Sequence, residues 1–267
     1  AVGKDALSNN TSANHNTAIG FQSLLANTTG AQNVSTGTCS LRGNTTGSNS
    51  AAFGFCALAS GTTANLNTAI GNFALKTTDN GCKNTAVGYQ SMFDATSAEC
   101  NVALGAYSLA NNTTADFNTA LGTCSMLTNT TGANNVAVGY NSLFSNTTGA
   151  INTAVGAGAL KSNTTGTSNV AVGCDALDSN TTGNENTIVG REAGCSNTEG
   201  NCNTALGLRA LKSNTGGDGN VAIGYHALCT NTTASVNTAI GFCAMQSNTT
   251  GDSNTAVGTN ALQENTT

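Results

Sequence analysis

The chain has 267 residues, of which 8% are charged and 4% aromatic, with ten cysteines, 32 glycines and neither proline nor tryptophan. Its eight basic and thirteen acidic residues give a formal net charge of −5 and lie scattered, so no basic stripe exists to neutralise phosphates and nucleic acid is excluded as a partner. No stretch supplies the roughly 18 consecutive apolar residues of a membrane span, and a 38% apolar content at fixed positions argues for order rather than disorder.

A glycine recurs every 17 residues from Gly3, Gly20 and Gly37 to Gly241 and Gly258, with no insertion or deletion in sixteen copies. Surface loops tolerate changes in length cheaply, so a fixed period means that each unit is registered against the next by stacking. With the glycine as position 0, the unit reads Asn-Thr-Ala-Val-Gly, two variable residues, Ala-Leu, two variable residues, Asn-Thr-Thr-Gly and two more variable residues. The apolar segment around the glycine is short, often β-branched and bounded by turn residues, which predicts a short strand in each unit. Position −1 is mostly aliphatic (Val2, Ile19, Ile70, Val87, Leu104), and position +4 is Leu or Met in fifteen of sixteen copies, Gly194 being the exception. These two columns are the predicted core, flanked by small residues at +3 and +10. No helical stripe fits within 17 residues carrying this many breakers. The predicted fold is therefore all-β, a parallel β-solenoid forming one continuous domain over residues 1–267. Coils about 4.8 Å apart would make a rod of roughly 75–80 Å. The terminal units carry no distinct caps, so a segment or subunit of a longer fibre is expected.

Asparagine fills position −4 in fourteen of fifteen complete copies and +7 in thirteen of sixteen. Asn tolerates left-handed backbone and bonds its own chain, so both columns are assigned to corners, where stacked amides can also form ladders. The Asn-Thr-Thr runs match the N-glycosylation pattern, with Asn27, Asn112, Asn146 and Asn180 as candidates. A turn column explains them better, because glycans at every coil would collide. Thr at +8 invites an ice-binding reading, but the adjacent threonines at +8 and +9 do not form the Thr-x-Thr pattern that places two ranks on one face.

Ten cysteines suggest oxidising surroundings or links between chains. Cys39 and Cys56 share position +2 of successive coils, and Cys82 and Cys100 occupy +11 and +12 of successive coils, so both pairs are disulfide candidates. Cys195 and Cys229 share +5 two coils apart, and with Cys124, Cys174, Cys202 and Cys243 they are candidates for links between chains. No cysteine quartet has zinc spacing, and His15 and His226 are far apart, so no metal or other cofactor is expected. Asp175, Asp178, Glu185 and Glu192 form the densest acidic stretch, read as a solvated face, and no catalytic residue is assigned. The variable positions +1 and +2 carry intermittent aromatics (Phe21, Phe55, Phe73, Tyr89, Tyr107, Tyr140, Tyr225, Phe242).

The unit seen nearly intact at residues 135–149, Asn-Val-Ala-Val-Gly-Tyr-Asn-Ser-Leu-Phe-Ser-Asn-Thr-Thr-Gly, resembles the repeats of phage and marine viral tail-fibre-like proteins. More distantly it is similar to the head repeats of trimeric autotransporter adhesins. The resemblance implies a homotrimer, with end-to-end polymerisation as the alternative, on a cell or virion surface. The expected function is that of a non-enzymatic, rigid, protease-resistant extracellular fibre shaft or filament subunit. A fibre that binds a receptor or cell-surface glycan is the second reading, and an ice-binding solenoid the third.

Overall fold

A computed structural model describes all 267 residues. They divide into two compact units, Ala1–Asn134 and Asn135–Thr267. The first contains strands β1 (Thr17–Ile19), β2 (Val34–Thr36), β3 (Ala51–Phe53), β4 (Thr68–Ile70), β5 (Thr85–Val87), β6 (Val102–Leu104) and β7 (Thr119–Leu121). The second contains β8 (Val136–Val138), β9 (Thr153–Val155), β10 (Val170–Val172), β11 (Thr187–Val189), β12 (Thr204–Leu206), β13 (Val221–Ile223), β14 (Thr238–Ile240) and β15 (Thr255–Val257).

Each unit is a parallel β-solenoid. Within it, every strand pairs in parallel with the strand one coil on, and the partners are 17 residues apart, as in Thr17 with Val34 and Val170 with Thr187. The pairing runs on beyond the strands. Leu24 N–H donates to Ser40 O (3.1 Å), Ala26 to Arg42 O (3.0 Å) and Thr28 to Thr45 O (2.9 Å). Most of the coil thus hydrogen-bonds to its neighbours, which satisfies backbone groups that short strands alone would leave open.

The core differs from the sequence expectation in one column. Along each strand only the middle residue is buried, with an exposed or half-buried residue on either side, and that residue is position −2, the alanine column Ala18, Ala52, Ala69 and Ala86. The aliphatic −1 column faces outward. Strand residues alternate in direction, and the interior, already occupied by the +4 leucines and two asparagine columns, has room beneath the strand only for a methyl group. The one bulky residue at −2 is Ile188, in the coil where Gly194 replaces the usual leucine. A β-carbon on Gly194 would lie 3.4 Å from Ile188 Cγ2, so the isoleucine fills the space left by the missing side chain. Where Ser35 takes the −2 place, Ser23 Oγ donates to Ser35 Oγ (2.7 Å) and Ser40 Oγ closes on it, so the buried hydroxyls satisfy one another.

The repeating glycine has two causes. Its φ lies between 127° and 142° in all sixteen copies, a region essentially restricted to glycine. A β-carbon on Gly173 would also stand 2.6 Å from the carbonyl oxygen of Gly190 in the next coil. Three further columns, +2, +4 and +12, hold left-handed backbone with φ of 48–69°, including Leu24 (51°), Leu41 (48°) and Met92 (48°). That conformation costs roughly 1–2 kcal/mol for a side-chain-bearing residue. At +4 the burial of a leucine, about 1.5–3 kcal/mol, offsets it.

The asparagines at −4 and +7 are not the left-handed corners; those are the columns just named. Both asparagine columns point inward and are buried. Asn180 Nδ2 donates to Asn163 Oδ1 of the previous coil (2.8 Å) and to Gly183 O of its own turn (3.0 Å). Asn169 at −4 donates to the same Gly183 carbonyl (2.8 Å), and its Oδ1 accepts from the backbone N–H of Asn186 (3.0 Å). The two ladders meet on one carbonyl column and hold each corner against the next.

Candidate interaction surface

With alanine turned inward, the residues on either side of it, −3 and −1, point out from the strands of each unit. Position −3 is Thr, Val or Ala (Thr17, Val34, Ala51), and −1 is aliphatic except at Thr36 and Phe53. Neither column contains a charged residue, and neither do the flanking columns −4 and 0. Ile19 (44% exposed), Leu104 (48%) and Leu206 (50%) show how open the outer rank is. The two ranks lie about 6.6 Å apart across the strand and repeat about every 4.8 Å along the stack. An ordered, charge-free face with an aliphatic rank at −1 beside a Thr/Val rank at −3 marks an interaction surface. Its signal was present in the sequence as the alternation large-small-large in Thr-Ala-Val, a strand period with the small residue in the middle.

Aromatic side chains at +1, +2 and +5 form a separate strip. In the first unit Phe55 meets Phe73 edge to face (5.1 Å), Phe73 meets Tyr89 (6.2 Å) and Tyr89 meets Tyr107 (5.4 Å). Lys76 Nζ lies 5.4 Å from the Phe73 ring and 5.0 Å from Phe93. In the second unit Tyr225 stacks on Phe242 (5.0 Å, 8° between planes) and on His226 (4.1 Å). Phe21 and Tyr140 stand exposed.

The threonines at +8 are engaged with the next coil: Thr28 Oγ1 donates to Thr45 O (3.0 Å) and Thr164 Oγ1 to Thr181 O (3.0 Å). The glycosylation candidates are corrected. Asn27, Asn112, Asn146 and Asn180 are all buried, and their Nδ2 groups, the atoms a glycan would occupy, donate to the carbonyls of Gly30, Ala115, Gly149 and Gly183.

All ten cysteines are free thiols. The expected Cys39–Cys56 and Cys82–Cys100 bonds are not formed, although both pairs are neighbours across one coil step. The Cys56 thiol is raised by burial and by the adjacent Cys39, with which it hydrogen-bonds. Cys82 is raised by burial and by its hydrogen bond to Glu99. Cys174 and Cys202 are exposed and raised by hydrogen bonds to Asp175 and Glu185. Cys195 and Cys229 are raised by burial, and Cys124 and Cys243 pair with no other cysteine. An activated nucleophile needs a lowered pKa, and every shift here runs the other way.

The acidic stretch resolves into an ion cluster around Glu192, whose carboxylate lies 3.0 Å from Arg191, 2.8 Å from Arg209 and 3.2 Å from Lys212. Hydrogen bonds from Arg209 and Lys212 lower its pKa to about 2. Asp178 stands apart, raised by burial with Oδ1 unpartnered. The His226 Nε2 is likewise buried and unpartnered, and burial lowers its pKa. No three His, Cys, Asp or Glu side chains converge as metal ligands, no pocket opens on the surface, and no helix is long and apolar enough to cross a membrane.

No known family model matches this chain, and no curated protein is significantly similar to it in sequence.

Proposed function

We propose that the protein is a structural fibre shaft or filament subunit of an extracellular, cell or virion surface, assembled laterally with copies of itself through the −3 and −1 ranks. The observation that carries this reading is the charge-free outer face of the strand ladders. Burial explains the absence of charge from the interior columns, but nothing within the chain explains it on the outside. Each outward strand residue covers on the order of 30 Å² at these spacings, so each unit offers roughly 500 Å². A stable interface needs about 800 Å² per partner, so a lasting assembly requires both units of a chain to engage neighbours. Identical faces pair naturally in closed symmetric oligomers. The fixed period and the continuous coil-to-coil hydrogen bonding support a mechanical role, because local unfolding must break several ladders together. The likeness of the unit to tail-fibre and trimeric adhesin repeats points the same way.

Analytical ultracentrifugation of the whole chain tests the reading. We expect a concentration-dependent oligomer, and a monomer of unchanged circular dichroism when Val155→Asp, Leu206→Asp and Ile240→Asp are combined. A wild-type chain that stays monomeric to high micromolar concentration overturns it. Thermal hysteresis by that monomer would then assign the face to ordered water instead.

A further inference from the structure

Four coil steps in the first unit lack the +7 amide link, because Gly61, Thr78 and Ala95 stand between Asn44 and Asn112. The loss is visible as buried polar atoms without partners, Asn44 Oδ1 and Thr78 Oγ1. Cys39 belongs to the coil of Asn44 and Cys56 to that of Gly61. Cys82 belongs to the coil of Thr78 and Cys100 to that of Ala95. Both cysteine pairs that occupy the same or adjoining columns of successive coils therefore fall on steps where the amide link is missing.

The geometry of each pair suits a covalent bond. Cys39 and Cys56 have the same backbone conformation (φ 57° and 53°) and equivalent hydrogen bonds one coil apart, Cys39 N–H to Phe21 O (2.9 Å) and Cys56 N–H to Thr38 O (3.0 Å). Equivalent residues of parallel neighbours are separated by about 4.8 Å, inside the 4.4–6.8 Å Cα range of disulfides. Cys100 N–H donates directly to Cys82 O (3.1 Å). All four side chains are partly exposed, and none belongs to the −3 and −1 ranks, so a small oxidant reaches them whether or not chains associate.

We propose that Cys39–Cys56 and Cys82–Cys100 are sites of coil-to-coil disulfide formation, in which a low-molecular-weight disulfide such as oxidised glutathione supplies the covalent links that replace the missing amide bonds. In the first step one protein thiolate, Cys39 Sγ for example, attacks a sulfur of the reagent. The reagent's S–S bond breaks, and one glutathione thiolate leaves and takes up a proton. Cys56 Sγ, deprotonated in turn, attacks Cys39 Sγ and releases the second glutathione. Two protein thiols are oxidised, one glutathione disulfide is reduced to two thiols, and two protons pass from protein to glutathione. Cys56 hydrogen-bonds to Cys39, which places those two sulfurs in contact, whereas Cys82 hydrogen-bonds to Glu99 and must leave it to reach Cys100, so the first pair closes before the second.

The test incubates the reduced full-length chain with oxidised glutathione, blocks residual thiols and maps peptides by mass spectrometry without reduction. We expect intrachain Cys39–Cys56 and Cys82–Cys100 links, the first forming several-fold faster, glutathione adducts alone on exposed Cys174 and Cys202, and a melting midpoint raised by several degrees. In Cys56→Ser the Cys39 adduct should persist unresolved while the Cys82–Cys100 link still forms, which separates a lost partner from a misfolded chain. Persistent glutathione adducts on all four cysteines, links between chains at these positions, or links without a rise in midpoint each overturn the proposal.

Discussion

In the unit from 135 to 267 the +7 column is asparagine in every coil from Asn146 to Asn265, whereas in the unit from 1 to 134 it is broken at Gly61, Thr78 and Ala95. The −4 column runs through the same break with one substitution, Ser50, whose backbone N–H still donates to Asn33 Oδ1 (3.0 Å) and whose Oγ accepts from the Asn67 N–H (3.2 Å). Asn67 Nδ2 donates to Gly81 O (2.8 Å), and the backbone N–H groups of Asn84 and Asn101 find the side-chain oxygens of Asn67 (2.9 Å) and Asn84 (3.0 Å). The register of 17 survives the loss of one ladder, so the second ladder contributes stability rather than alignment. Buried polar atoms without partners cost about 1–3 kcal/mol each, and the first unit contains two such atoms on this column, Asn44 Oδ1 and Thr78 Oγ1.

Substitutions can damage the complete unit or repair the broken one. The largest expected effect is at Ile188, whose side chain fills the gap beside Gly194. Ile188→Ala should cost about 3 kcal/mol, and adding Gly194→Leu, which recreates the arrangement of the other coils, should recover most of it in a double-mutant cycle by chemical denaturation. Next, Asn180→Ala removes the donor to Asn163 Oδ1 and the acceptor of Asn197 Nδ2 (2.8 Å). Denaturation should show a loss of about 2 kcal/mol, bringing this coil step down to the condition already present at Gly61. Conversely, Gly61→Asn places an amide where Asn44 Oδ1 lacks a donor. Its β-carbon meets Thr78 O at 3.0 Å, which takes back part of the benefit, leaving a gain of roughly 0.5–1 kcal/mol.

The smallest effect is a pH dependence confined to the second unit. The Glu192 pKa is lowered in the folded chain from 4.5 to about 2, so its contribution is fully present above pH 4.5 and is lost as pH falls towards 2. Because the cationic partners of Glu192 are partly open to solvent, the change should be modest and weakened by salt. A melting-temperature titration should show it in the wild type and not in Glu192→Gln.

The period, the strand before each glycine, the parallel stacking and the leucine column were legible in the sequence because each repeats sixteen times and has one physical reading. The direction of the strand was not. Thr-Ala-Val alternates whichever face turns inward, and hydrophobicity alone favours burying valine over alanine. Only the width of the interior, set by Leu24-type residues and two inward amide columns, decides for alanine. The asparagines were legible as ladders but misplaced as corners, since a leucine in left-handed backbone, as at Leu41 (48°), contradicts local propensity and follows from burial. The candidate face is hidden for the same reason, because hydrophobicity alone places its aliphatic rank in the core.

Hydrogen exchange on the fully reduced chain tests most directly whether the amide ladders lock coil to coil. If they do, the strand amides of β3–β6, beside the broken +7 column, exchange at least tenfold faster than those of β9–β13, beside the continuous one, a difference of about 1.4 kcal/mol in local opening. Equal protection in the two sets, or slower exchange beside Gly61, Thr78 and Ala95, would contradict it.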